Sequence, residues 1–122
     1  MTNTTIDHIG INVANYEKSK KFYIAALKPL GLTMLQDYGT VIGMGVEFPY
    51  LWISEGAPGH MHLAFRAESR TLVDQFYAAA IKAGGKDNGK PGRRTEYHQH
   101  YYAAFVHDMD GHNIECVCHE PK

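Results

Sequence analysis

No run in this chain approaches the roughly 18 consecutive apolar residues that a membrane-spanning helix requires. Its first ten residues, MTNTTIDHIG, have neither the basic start nor the apolar stretch of a secretion signal. A soluble, cytoplasmic protein is the expectation. An excess of one charge is also missing: 12 basic residues stand against 13 acidic ones, a formal net charge of -1. No whole-molecule field therefore draws the chain to nucleic acid or to an anionic membrane. Cysteine is scarce. The two present, Cys116 and Cys118, are two apart on one expected strand, where a bridge between them would be strained. They read as buried thiols acting as small hydrophobes, or as a C-x-C pair for a soft metal, and neither is the mark of a secreted disulfide scaffold. There is no G-x-S-x-G elbow, and the GMG at Gly43–Gly45 lies inside an expected strand, where it fits no phosphate-binding loop.

The chain does contain a repeat of itself. Aligning DHIGINVANYEKSKKFYIAALKPLG from Asp7 with MHLAFRAESRTLVDQFYAAAIKAGG from Met61, at an offset of 61 - 7 = 54, matches His8 with His62, Phe22 with Phe76, Tyr23 with Tyr77, Ala26 with Ala80 and Gly31 with Gly85. Each copy opens on an alternating strand (Ile9, Ile11, Val13; Leu63, Phe65, Ala67). Each then reaches a helix-start residue, Asn15 or Ser69, whose side chain can accept from the free N–H groups of the first turn. Apolar spacings of three and four give each helix one buried stripe, Phe22, Tyr23, Ala26, Leu27 and Leu30 in the first, Val73, Phe76, Tyr77, Ala80 and Ile81 in the second. Gly31 and the Gly84-Gly85 pair supply helix ends. Three short strands follow the first helix, with turns near Gly39 and Pro49. After the second come a Gly/Lys/Arg-rich stretch from Gly84 to Arg94 with one weak strand inside, then YYAAFVHD and HNIECVC. The expected fold is α+β: a single domain, 1–122, of two βαβββ modules over 5–56 and 59–120, neither able to cover its own sheet alone.

Strand parity then separates the faces. If Ile9, Ile11 and Val13 face a helix, His8, Gly10 and Asn12 face away from it. The same alternation sends His60, His62, Ala64 and Arg66 to the far face, with Asn113, Glu115 and Val117 opposite Ile114, Cys116 and Cys118. A wet surface would account for His, His and Glu there, but the small or apolar Gly10, Ala64 and Val117 beside them suit a partly enclosed cup. A carboxylate buried there without a partner would cost several kcal/mol. Two imidazoles and a divalent cation would remove that cost.

The repeated halves, IDHIGINV, MHLAFRA and DMDGHNIECV are similar to the glyoxalase/bleomycin-resistance/dioxygenase superfamily, the vicinal oxygen chelate proteins, with Met109 where a proline usually follows the first Asp of the DxDGxxxE ending. The resemblance covers nearly the whole chain and implies a cupped mixed sheet with helices on its outer face. It also implies a divalent metal (Zn, Mn, Fe or Ni) held by His8, His62 and Glu115, and a homodimer with the site at or across the interface. Two histidines and one carboxylate resemble the set of extradiol dioxygenases and fosfomycin-resistance thiol transferases. Glyoxalase I takes a fourth, usually acidic, ligand from the fourth strand, which reads YLWIS here, with Glu47 and Glu55 at its edges. Lyase, isomerase, thiol transferase and dioxygenase chemistry all stay open. So does a metal-free protein that sequesters an aromatic or drug-like molecule, as bleomycin-resistance proteins do.

Further candidates surround that set. His60 is a substitute or outer ligand or a pocket-rim residue, and Arg66 shares its face. In EYHQHYY, at the entrance to a strand bordering the cup, His98 and Tyr101 are the candidate acid and base and Tyr102 a candidate pocket residue, against a polar loop with aromatic anchors. Trp52, the only tryptophan, is pocket wall or core. His107, His112 and His119 read as turn or surface residues. Lys86, Lys90, Arg93 and Arg94 either attract a substrate carboxylate or phosphate or form a solvated loop.

Overall fold

The computed structural model describes residues 6–122. The first half runs β1 (Ile9–Val13), α1 (Tyr16–Leu27), β2 (Thr33–Asp37), β3 (Val41–Gly45) and β4 (Pro49–Glu55), and the second β5 (His62–Arg66), α2 (Arg70–Lys82), β6 (Lys86–Arg93), β7 (Tyr102–His107) and β8 (Asn113–Cys118). The result is two four-stranded mixed sheets, ordered β1-β4-β3-β2 and β5-β8-β7-β6, with the same topology. Residue 5, the expected start of the first module, lies outside the described residues. Among the described residues no helix is long and apolar enough to cross a membrane.

Local chemistry sets the helix ends. Asn15 and Ser69 cap α1 and α2 as their side chains accept from the N–H groups of Lys18 and Leu72. Gly31 (φ 85°) ends the short 3-10 turn after α1, and Gly84 (φ 105°) follows α2. Gly85 has a different role: a Cβ there would come within 2.9 Å of both the Phe22 ring and the Ala80 carbonyl. The lack of a side chain thus lets the end of α2 meet α1.

The core lies between the helices and the sheets, with Phe22, Tyr23, Leu27, Val73 and Phe76 against Ile11, Ile53, Val106, Ile114, Cys116 and Cys118. Both thiols are free and buried, and burial pushes the Cys116 thiol up to about 12. At the edge of the first half, the Asp37 carboxylate accepts from the Tyr16 hydroxyl (2.5 Å) and Lys20 (2.6 Å), tying β2 to α1. Those partners, Lys20 first, hold the Asp37 carboxyl well below the usual carboxylate range.

Two expectations need correction. β6 is a bulged eight-residue strand paired along β7 rather than a weak one, its irregularities falling at Gly89 and Gly92. The turn expected near Pro49 spans residues 46–48, and Pro49 itself opens β4, a first-residue position where its missing N–H costs no ladder bond. Ile81, expected in the buried stripe of α2, is exposed.

The largest correction concerns the DMDGH segment between β7 and β8. His112 is fully buried rather than on the surface. Its Nδ1 accepts from the Met61 N–H (3.0 Å) and its Nε2 donates to the Asn12 carbonyl (2.8 Å). Asp108 accepts from the Tyr23 hydroxyl (2.5 Å), and Asp110 accepts from the Ala14 N–H. This loop thus ties the second half to the first, in addition to the packing of α2 on α1. It brings Asn12 near Met61 at one end of the edge strands β1 and β5, while His8 and Leu63–Phe65 border one cleft at the other.

Candidate functional site

Residues paired across neighbouring strands share a face, and the register places Ala64, Glu115 and Phe105 in one row. His62 and Arg66 flank Ala64 on that face, and Val117 flanks Glu115. The parity read from the sequence therefore holds for β5 and β8. Glu115 is 2% exposed. One of its oxygens lies 2.8 Å from His62 Nε2, and the other accepts from the Tyr101 hydroxyl. With the carboxylate ionised, His62 carries the proton on Nε2 and donates it. Burial, then the bond to Glu115, raises the Tyr101 hydroxyl above its ordinary value while the charge of Arg94 works the other way, so Tyr101 stays a donor at neutral pH.

A cation fits this pair by donor chemistry. Two ligands bound at the usual 2.0 to 2.2 Å and set at right angles would be about 2.9 Å apart, close to the 2.8 Å between His62 Nε2 and Glu115 Oε1. His8 stands elsewhere. Its side chain is 60% exposed, its Nδ1 is 2.8 Å from the Asp7 carboxylate, and it rims a cleft of about 200 Å³ lined by Ile9, Leu51, Leu63 and Phe65. Among the described residues, the group of three His, Cys, Asp or Glu whose donors lie within 4.8 Å of one another is Asp108, Asp110 and His112. Both nitrogens of His112 are already engaged, which leaves it no lone pair for an ion. One chain thus brings His62 to Glu115 but leaves His8 apart from them.

The repeat explains what the first half carries instead. Gly10 pairs with Trp52 as Ala64 pairs with Glu115, and 64 - 54 = 10, so Trp52 occupies in the first half the place of Glu115 in the second. Gly43 takes the place of Phe105. A Cβ on Gly43 would lie 2.7 Å from the Trp52 ring, so glycine there lets the indole lie on the sheet. Tyr38 runs nearly parallel to it, 12° off with centroids 6.4 Å apart. The fourth-strand position thus holds an aromatic plate and no carboxylate.

The remaining candidates divide. The Tyr101 ring packs against Tyr97, His98 and His119. His98 Nε2 is 2.8 Å from His119 Nδ1, beside Tyr101 but not on Glu115. Tyr102 pairs with Cys118 on the helix side of the sheet. Its hydroxyl donates to Asp74 of α2 (2.6 Å) and rises to about 12 through burial and that bond, which turns it away from Glu115. His60 is exposed in the loop before β5. Arg66 lines a polar recess with Glu68 and Glu120.

Known proteins share this fold. The model of the Glyoxalase/Bleomycin resistance protein/Dioxygenase superfamily matches residues 5–116. The uncharacterized protein YqjT of Bacillus subtilis (strain 168) is 28% identical over 122 residues, 90% of this chain and 95% of that protein. The crystal structure of a glyoxalase/bleomycin resistance protein from Albidiferax ferrireducens T118 superposes with a TM-score of 0.80 at 28% identity, covering 93% of this chain and 98% of that one. The fosfomycin resistance protein FosX from Listeria monocytogenes superposes with a TM-score of 0.74 at 16% identity over 96% and 94% of the two chains, a likeness of fold. Repeated halves, a buried Glu115 on the face away from the helices and a family match over nearly the whole length agree: the chain belongs to the glyoxalase/bleomycin resistance protein/dioxygenase superfamily.

Proposed function

We propose that this protein is a divalent-metal enzyme acting on a small oxygen-rich substrate, of lyase, isomerase, thiol transferase or extradiol dioxygenase type. The metal would be held by His62 and Glu115 of one subunit and His8 of a second. The observation that carries this reading is the carboxylate of Glu115, sequestered on the cup face with an imidazole nitrogen 2.8 Å away. A cation bound there would supply Lewis acidity, stabilising an enediolate or alkoxide as it develops. Zn, Mn, Fe and Ni all suit imidazole and carboxylate donors. Tyr101 keeps one Glu115 oxygen engaged and so presents the other, and Trp52 forms a flat wall against which a substrate is oriented. His98, beside Tyr101, is the candidate to move a proton at the mouth of the cup.

A homodimer belongs to this reading, as does a cytoplasmic location. The first half exposes Met34, Leu35, Tyr38, Val46 and Phe48 around β2 and the β3–β4 turn, a clustered apolar surface of the kind that packs against a partner. The alternative reading, a metal-free protein that sequesters an aromatic ligand, draws on two observations. Both Glu115 oxygens already have protein donors, and the Trp52–Tyr38 stack is ready for a planar molecule.

Metal analysis of protein purified without chelator separates the two. The enzyme reading predicts about one divalent ion per chain in the wild type and less than a tenth of that in Glu115→Ala and His62→Ala. Equal metal content in all three, or none in the wild type after supplementation, would overturn it.

A further inference from the structure

The 94–101 loop brings Tyr101 onto Glu115, and a second side-chain bond pins it to the end of β8. The loop closes on itself as the Arg94 N–H donates to the Tyr101 carbonyl (2.6 Å), with turns from the Tyr97 N–H to Arg94 and from the Tyr101 N–H to His98 inside it. From its middle, His98 reaches His119, the residue after β8, with Nε2 2.8 Å from Nδ1 and the two rings within 25° of one plane. Both rings meet the Tyr101 ring edge to face, and the Tyr101 hydroxyl donates to Glu115. The protons of the pair can be placed. The His100 N–H donates to His98 Nδ1 (3.0 Å), so a neutral His98 carries its proton on Nε2 and donates it to His119 Nδ1. His119 then carries its own proton on Nε2. The acceptor nitrogen of each ring is thus already engaged. An added proton on His98 Nδ1 would meet the His100 N–H, and one on His119 Nδ1 would meet the N–H of His98. With both rings charged, donor faces donor and like charges repel.

We infer that the His98–His119 pair is a pH-sensitive latch on the 94–101 loop, closed while both rings are neutral and released as acid protonates them, its release taking from Glu115 the donor that Tyr101 supplies. A closed loop leaves neither ring a free lone pair, whereas an open loop leaves one on each. The open form therefore binds more protons, and closure is favoured as pH rises. The ionisable groups around the pair are Tyr97, His100 and Tyr101 on the loop, Cys118 and Glu120 beside His119, Glu115 behind the Tyr101 hydroxyl, and Arg66 and Glu68, which share a recess with Glu120. By residue type, histidine is the one among these that ordinarily changes charge between pH 5 and 8. His100 lends the pair its backbone N–H, and its ring takes no part in the two bonds. Loss of one such hydrogen bond corresponds to a change of about three- to tenfold in how often the loop opens. The surroundings of Glu115 are thus complete at neutral and alkaline pH and loosened in acid.

The test is hydrogen–deuterium exchange of the 94–101 segment, followed by mass spectrometry at about pH 8 and about pH 5, with rates normalised to those of an unstructured peptide of the same sequence. Chelator-treated protein is used, so that the outcome does not depend on whether His62 and Glu115 hold a cation. Protection of the segment in the wild type is expected to fall about three- to tenfold on going to the lower pH. His119→Ala cuts the tie without touching the loop. It should show at the higher pH the low protection that the wild type has in acid, and lose the response to pH. His60→Ala, on an exposed side chain outside the pair, should keep the wild-type response. Nitrogen-15 spectra of the histidine rings at the higher pH should place the His98 proton on Nε2. Equal protection of the wild-type segment at the two pH values, an unchanged response in His119→Ala, a lost response in His60→Ala, or a His98 proton on Nδ1 would each overturn the latch.

Discussion

Glu115 is the residue whose surroundings ask for the most explanation, and the neighbour that decides its behaviour is Tyr101. A buried carboxylate needs its lone pairs occupied, and Tyr101 and His62 take one oxygen each. Tyr101→Phe removes one of these donors and keeps the ring. Stability should then fall by about 1–3 kcal/mol, the cost of a buried acceptor left without a donor. Divalent metal affinity should fall about 10–100-fold, because an outer hydrogen bond orients the ligand. Urea unfolding followed by circular dichroism and cobalt titration measure the two effects. Unchanged values in both would mean that Tyr101 is incidental to Glu115. Strand parity made Glu115 and His62 legible in the sequence as members of one face. Tyr101 was legible as a candidate acid or base beside the cup, but its bond to Glu115 was not, since that contact depends on how the 94–101 loop folds back. Arg94 was legible only as one of four cations in a Gly-rich stretch: its place over Phe105 depends on two glycines of β6 whose effect appears only once that strand is formed.

At the level of elements, the 54-residue repeat placed the strands and helices because period-2 and helical apolar spacings survive in both copies. Histidine at 112 could not be placed that way. It follows a turn glycine, a context that reads as surface, yet the packing of one half on the other buries it. The β7–β8 loop is the lock between the halves, with His112 on Met61 and Asn12, Asp108 on Tyr23 and Asp110 on Ala14. His112→Ala would remove two hydrogen bonds and open a cavity in a site with no water-facing side. A loss of about 2–4 kcal/mol is expected in chemical denaturation. His8→Ala, on an exposed side chain, should stay within about 0.5 kcal/mol of the wild type. A His112 variant as stable as the His8 variant would show that the loop does not hold the halves together.

The whole molecule poses the problem that one chain leaves open. His62 and Glu115 meet within a chain, whereas His8 rims the seam between β1 and β5 beside Leu63–Phe65 and does not join them. Sequence parity put all three on the faces turned from the helices, but a face is not a distance, and only a second copy can bring another His8 to the pair. The most direct measurement is metal stoichiometry in mixed assemblies. His8→Ala and Glu115→Ala chains, each metal-free alone, are unfolded together, refolded and titrated with cobalt. A site built across two subunits leaves both lesions in one cup of a hybrid dimer and none in the other, so the mixture should regain up to about a quarter of wild-type metal. No recovery, with the wild type binding fully under the same treatment, would contradict a shared site.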